Sequence, residues 1–292
     1  MEIALRKHNE YKENSQTLWN KLWADDGKSF REHKFNLAVE EQGTVWRSIR
    51  TMLGKKFDNV GRLHVVELGA GRGAYSALMA QIVHQVTMVD YSDAAIEKSK
   101  EFYEFLGISN VNHLHADALR LPVELMGKYD VSMSFGLAEH FAGDERRLII
   151  KSHFDLLKPN GLTFISVPNK DCIPYQLWKK KRELLGRWHF GLEIPFSRKE
   201  LRNICDDLQI EKYFFVGSSF LSSLNFLLPL AQWKRSLEKR LIPNYFDRLD
   251  LLRPSVMNPL DSYLGYALVL CGQNSPPGIA SSDIGEGSKR MG

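Results

Sequence analysis

Three glycines, Gly69, Gly71 and Gly73, fall within five positions of the stretch "VVELGAGRG" (65–73), directly behind an apolar run that contains Glu67. Glycine permits a sharp strand-to-helix turn and lets a ligand lie against bare backbone, and a helix starting near Ala74 offers its free N–H groups there. The spacing is GxGxG, so the dinucleotide pattern GxGxxG fails at its third glycine, and a tight turn without a ligand is the plain alternative. Asp90 stands 17 residues past Gly73, ending the next apolar run, where a carboxylate can accept two hydrogen bonds from ribose hydroxyls. Asp117, in "ADAL", ends the run after that, within reach of an adenine amino group. Glu67 repels a pyrophosphate and suits a ligand that carries positive charge. This chemistry favours a sulfonium-bearing nucleoside over a dinucleotide.

Such residues need a frame that brings the ends of several strands to one edge. Short apolar or β-branched runs alternate here with longer amphipathic ones, which predicts parallel strands joined by helical crossovers. The strands are expected at 63–68, 85–90, 111–116, 129–135 and 162–168, with helices in "AYSALMAQIVH", "SDAAIEKSKEFYEFLG" and "DERRLIIKSHFDLLKPNG" between them. After residue 169 the rhythm breaks into a basic, aromatic-rich insertion (170–196). A helix follows whose Ser197 and Glu200 have capping-box spacing, then a strand "EKYFFVGS", a mostly helical apolar and basic stretch (219–257) and a last strand at 263–272. The expected organisation is an N-terminal helical lid (1–58), a core (59–218 with 263–272), a cap insertion (219–262) and a disordered tail (273–292) rich in Gly, Ser and Pro.

The ordered series resembles the class I S-adenosylmethionine-dependent methyltransferases, the seven-stranded Rossmann-like family. "VVELGAGRG" looks like the family's first motif, "VTMVDYS" like its ribose-binding strand end, and "ADAL" like its adenine-pocket segment. "YDVSMSFGLAEHF" and "LLKPNGLTFISVPN" resemble its fourth strand with active-site entry and its fifth strand with the preceding helix; the likeness covers about 60–170. It implies an α/β fold, a doubly wound, mostly parallel sheet whose last strand is antiparallel, and S-adenosyl-L-methionine as cofactor. It also assigns roles to residues. Glu67, Gly69, Ala70, Gly71 and Gly73 would contact the amino-acid part of the cofactor, and Asp90 the ribose. Tyr91, Asp117 and Ala118 would contact the adenine, and Phe135 and Gly136 would lie under the methionine part.

Methyl transfer needs an in-line nucleophile and little water, so positioning supplies most of the acceleration and dedicated catalytic groups are few. His140, in "GLAEHF", is the candidate base for a hydroxyl or amine acceptor, with Glu139 to orient it; packing beneath the cofactor without chemistry is the even alternative. Some quinone-pathway members of the family place a metal near a similar Glu-His pair, but Gly136 stands where their further Glu would be, and no metal is expected. His113 and His115 alternate on the third strand and read as structural, and "WKKKR" (178–182) reads as a solvated helix face. Trp19 and Trp23 share a helical face that either packs on the core or closes over the cofactor, and His189 and Glu193 are candidates for the acceptor pocket.

Composition narrows the partners. The chain has 292 residues, 43% of them hydrophobic, enough for one large core. Its 39 basic and 35 acidic residues leave +4, short of the dense basic surface of a dedicated nucleic-acid binder, so no nucleic-acid partner is expected. Cys172, Cys205 and Cys271 are odd in number and lack CxxC spacing, which fits a reducing, cytoplasmic setting. The longest greasy stretch, "FLSSLNFLLPLA", is too short to span a bilayer, though the basic side of the 219–257 stretch could lie against a membrane surface. The reading is therefore methyl transfer to a small-molecule acceptor of bulky or apolar character, at oxygen, nitrogen or carbon. The alternatives are a non-catalytic S-adenosylmethionine-binding partner subunit, an RNA or protein methyltransferase, and a nicotinamide-dependent dehydrogenase.

Overall fold

In the computed structural model, which describes residues 15–25, 27–227 and 259–274, the run ahead of the glycines is strand β1 (His64–Leu68). It is followed by β2 (Gln85–Asp90), β3 (Val111–His115), β4 (Tyr129–Phe135), β5 (Leu157–Pro168), β6 (Lys212–Gly217) and β7 (Ala267–Gln273). They form one seven-stranded sheet in the order β3-β2-β1-β4-β5-β7-β6. All neighbours run parallel except β7, which is antiparallel to both β5 and β6. The expected fold class, a mostly parallel Rossmann-like sheet with an antiparallel last strand, is what the chain adopts.

The strand sequences explain the layering. Alternate residues point to opposite faces, so Val65, Val86, Met88 and Val131 join one apolar layer while Val66, Leu68, Val89 and Ile165 join the other. Because both faces are buried, β1 reads as a nearly continuous apolar run rather than an alternating one. The first layer is covered by Trp46, Ile49 and Leu53 of α3 (Thr44–Lys56), by Leu78 of α4 (Ala74–Ala80) and by Phe102 of α5 (Asp93–Leu106). The second is covered by Ile149 and Phe154 of α6 (Glu145–Asp155) and by Leu201 and Ile204 of α8 (Arg198–Asp207). Helices α1 (15–24) and α2 (Phe30–Gln42) precede α3, and α7 (Ile173–Leu184) lies in the 170–196 insertion. Two short helices, α9 (Phe220–Ser223) and α10 (Pro259–Leu264), flank the remaining segment.

Several expected boundaries shift for local reasons. The last strand starts at Ala267 rather than 263, because residues 259–264 form α10, tied down by Asp261, whose carboxylate accepts from the Phe220 N–H (2.9 Å) and whose carbonyl accepts from the Gly265 N–H (2.8 Å). The fifth strand begins at Leu157, not 162; α6 stops at Asp155, and the register slips beside Tyr129 where Asn160 takes a left-handed φ of 66°. Helix α8 starts as the spacing required, with the Ser197 hydroxyl accepting from the Glu200 N–H at 3.1 Å. Most of the cap expected at 219–262, nearly all of the tail expected at 273–292 and the first fourteen residues of the lid lie outside the described residues.

Candidate active site

Strand β1 pairs with β2 on one side and with β4 on the other, so the crossovers diverge between β1 and β4 and leave a crevice beyond their C-terminal ends. A cavity of about 770 Å³ opens there. Its floor is the glycine turn. Gly69 and Gly71 hold φ of 57° and 56°, a region L-residues rarely enter, and both line the cavity. A Cβ on Gly69 would come within 2.4 Å of Leu137 and one on Gly71 within 2.3 Å of Trp23, so the chain leaves this surface bare.

Asp90, at the tip of β2, is buried and lines the same cavity. Its two oxygens are aimed by backbone donors, the Gly71 N–H at 2.7 Å and the Ser92 N–H at 2.9 Å. Burial pushes the carboxyl up and those N–H groups pull it down. Each oxygen keeps a lone pair for a hydroxyl donor. Next to it, Tyr91, Asp117 and Ala118 line the wall, with the Asp117 carboxylate accepting from the Leu119 N–H at 2.9 Å. On the other side Phe135 lines the cavity and stacks on Tyr75, ring centroids 3.4 Å apart and planes 7° apart. Gly136 takes φ 83° where the chain leaves β4. The floor and walls thus fit a nucleoside: bare backbone, a buried diol-accepting carboxylate and an apolar slot, as the donor set for S-adenosylmethionine requires.

Helix α1 roofs this half. Gln16 donates to the Tyr91 carbonyl at 2.8 Å, Asn20 accepts from the Ser92 hydroxyl at 2.6 Å, and the Trp23 ring covers Gly71. Trp19 stacks on Trp23 and meets the His140 ring edge-on at 4.9 Å.

His140 and Glu139 sit in the short turn after β4 and both line the cavity. The Nδ1 of His140 lies 2.6 Å from the Leu192 carbonyl, which can only accept, so Nδ1 carries the hydrogen and Nε2 keeps a lone pair. Burial is the main cause that lowers its pKa to about 4, and Lys179 adds to it, so the ring is neutral at physiological pH. Glu139 is 3% exposed, and its Oε2 has no hydrogen-bond partner among the described residues. Burial raises it to about 8, Glu193 adds to the rise, and Arg146 opposes it.

Beyond His140 the wall changes character. Tyr175 and Trp178 come from α7, Trp188, Phe190 and Glu193 from the loop after it, and Phe226 and Tyr266 from the segments flanking α9 and α10. Tyr175 donates its hydroxyl to Glu193.

Most residues proposed from the sequence meet at this one cavity, including Trp19 and Glu193, but three do not. Glu67 faces away from it, buried, and accepts from the Ser76 hydroxyl at 2.5 Å; burial raises it to about 8. Gly73 is the left-handed N-cap of α4, where a Cβ would meet the Tyr103 hydroxyl at 1.8 Å, so it serves close packing rather than a ligand. His189 is exposed and does not line the cavity, whereas its neighbours do: Trp188, half-buried, and Phe190, itself 46% exposed. "WKKKR" is a solvated face only in part: Lys180 and Lys181 are exposed, but Trp178 lines the cavity and Lys179 is 8% exposed, its Nζ 4.6 Å over the Trp188 ring. The aromatic wall escaped sequence reasoning because its members come from separate, unpatterned segments. The clustering of tryptophan and tyrosine in 175–190 was the available signal.

Similarity to known proteins points the same way. Residues 65–161 match a family model described as "Methyltransferase domain". A ubiquinone biosynthesis O-methyltransferase of Caulobacter vibrioides is 30% identical over 57% of this chain, and the match spans 65% of that relative, just under two thirds of its length. A human EEF1A lysine methyltransferase 2 is 25% identical over 69% of this chain and 79% of its own. The crystal structure of a Synechocystis magnesium protoporphyrin IX methyltransferase with bound SAH shares the fold with a TM-score of 0.54 at 16% identity, covering 92% of this chain and 98% of that one.

Proposed function

We propose that this chain is a class I S-adenosylmethionine-dependent methyltransferase and that it methylates a small-molecule acceptor with a bulky, largely apolar body. The observation that carries this reading is the continuity of the cavity. One continuous space joins the glycine turn and Asp90 to an aromatic wall, with His140 at the junction.

Gly69, Ala70 and Gly71 would hold the amino-acid part of the cofactor, Asp90 the ribose, Tyr91, Asp117 and Ala118 the adenine, and Phe135 and Gly136 the sulfur end. When bound, S-adenosylmethionine supplies an electrophilic methyl group on a sulfonium. The protein's own work is placement and dryness. Helix α1 acts as the lid, with Trp19 and Trp23 shutting water out from above, and the aromatic wall holds the acceptor's apolar body in line. His140 acts as base: its tautomer is fixed by Leu192, so Nε2 takes the proton of an acceptor hydroxyl or amine. Glu139 helps to set the polarity around it. The chain's modest charge of +4 and the side-chain-walled acceptor end favour a free small molecule over a nucleic acid.

The test is incubation of the protein with methyl-labelled S-adenosylmethionine and an extract of its source cells, fractionated by size. Label in a low-molecular-weight product is the expected result. Label in the protein or RNA fraction would replace the acceptor class, and cofactor binding without transfer to any fraction would support a non-catalytic partner subunit.

A further inference from the structure

Around the acceptor end, the described cations are already engaged: the Arg182 guanidinium lies 5.1 Å from the centroid of the Trp178 ring. Arg146 gives its Nε to Glu200 at 2.6 Å and its Nη1 to the carbonyls of Phe141 and Ile194. Lys179 is ion-paired with Glu183. Two carboxyls facing the cavity are left with no cation of their own among the described residues. Glu193 receives only the neutral Tyr175 hydroxyl among its described hydrogen bonds, and the buried Oε2 of Glu139 receives none. Burial pushes both groups up; Glu193 adds to the rise of Glu139, Glu183 adds to that of Glu193 while the Tyr175 hydroxyl and Lys179 oppose it, and the Tyr175 and Tyr266 hydroxyls are pushed up partly by these same carboxyls. A buried acidic pair in this state gains from a positive charge placed against it.

Aromatic rings line the same part of the cavity. Tyr175 and Tyr266 have centroids 4.6 Å apart, Phe226 lies 5.2 Å from each, and Trp178 lies 5.3 Å from Phe226, so the cluster is continuous. A cation held against aromatic rings in a desolvated site is favoured over an uncharged group of the same shape. The acidic groups and the rings point to one kind of ligand.

We propose that the acceptor end recognises an organic cation: the acceptor carries an ammonium group that sits against Glu139 and Glu193, within the rings of Tyr175, Trp178, Phe226 and Tyr266. The inference rests on the methyltransferase reading above and names the substrate class for the same cavity. The ammonium is the handle by which the acceptor is oriented. Its counter-ions come from the turn after β4 (Glu139) and the loop after α7 (Glu193); Lys179, Arg182, Glu183, Arg146, Glu145, the Tyr175 and Tyr266 hydroxyls and neutral His140 are the other charged and titratable groups near the cavity. Ionised Glu139 binds the cation better than its protonated form does, so cation affinity rises with pH toward and past about 8, the value to which burial raises Glu139.

The experiment is calorimetry on the full chain. S-adenosylhomocysteine is titrated first, and the saturated protein is then titrated with tyramine and with its uncharged counterpart 4-ethylphenol. Tyramine is expected to bind about tenfold tighter, equivalent to about 1.4 kcal/mol, with the preference growing between pH 6.5 and 8.5. Glu139→Gln should remove most of the preference and Glu193→Gln part of it. Equal binding of the two probes, or a preference that Glu139→Gln leaves intact, would overturn the proposal and leave Glu139 as a protonated donor to a neutral acceptor. Should Glu139→Gln fold poorly, Glu193→Gln and the pH series decide the question in its place: a preference that neither of them changes would overturn the proposal equally. Failure of the first titration would instead count against the methyltransferase reading, which keeps the two failures apart.

Discussion

At the donor end of the cavity the wall is backbone and strand tip: two left-handed glycines, a carboxylate aimed by N–H groups, and the ends of β1, β2 and β4 held in register by sheet hydrogen bonds. At the acceptor end the wall is side chain, supplied by α7, the loop after it, and the segments before β7. The first is fixed by the same ladder that makes the fold, so it can hold one ligand shape and little else. The second can be changed ring by ring without disturbing the sheet. A single fold can thus keep one donor while its acceptor pocket varies.

Substitutions at the two ends should therefore separate cleanly. The largest effect is expected at the junction: His140→Ala should lower kcat by about 10²–10⁴-fold, with S-adenosylhomocysteine affinity changed by no more than about twofold in calorimetry. Equal losses in both would make His140 structural. Its lowered pKa, to about 4, also predicts a rate that stays level from pH 8 to pH 5 and falls only below that; an acid limb at the ordinary histidine position would contradict the burial argument. Gly71→Val comes next. The residue's φ of 56° and the 2.3 Å approach of Trp23 leave no room, so cofactor affinity should drop by about a hundredfold. Acceptor KM should move far less.

At the acceptor end, Tyr175→Phe removes the hydroxyl held by Glu193, and acceptor KM should rise by about fivefold, near 1 kcal/mol for one hydrogen bond. Donor affinity should not change. The smallest effect belongs to Glu67, which serves neither end. Its folded pKa, raised to about 8, lies above its unfolded value, so the stability it contributes is complete at low pH and is lost as pH rises through about 8. Glu67→Gln should flatten that decline, leaving Tm a few degrees higher relative to wild type at pH 9 than at pH 5. A parallel decline in both proteins would mean that Glu67 is charged in the fold.

The donor end was legible in the sequence because its requirements are local. Positive φ demands glycine, a ribose demands a carboxylate at a strand tip, and a parallel strand buried on both faces demands a continuous apolar run, so Gly69, Gly71, Asp90 and β1, β2 and β4 could be placed by pattern. The same pattern grouped Glu67 and Gly73 with these residues although neither lines the cavity, since it cannot tell which side of a turn faces the crevice. The acceptor end was mostly hidden. Which way Trp188, His189 and Phe190 turn in an irregular loop depends on tertiary packing, and the burial of Lys179 on a helix that reads as basic and solvated depends on the Trp188 ring above it. Only the closeness of Glu193 and Trp19 to the cavity came through.

The central claim is that the bare glycine turn holds a sulfonium nucleoside and not a dinucleotide. Calorimetric titration of the same preparation with S-adenosylhomocysteine and with NAD tests it most directly. The account predicts one-to-one binding of S-adenosylhomocysteine, abolished in Gly71→Val, and no heat from NAD; saturable NAD binding with none for S-adenosylhomocysteine would contradict it.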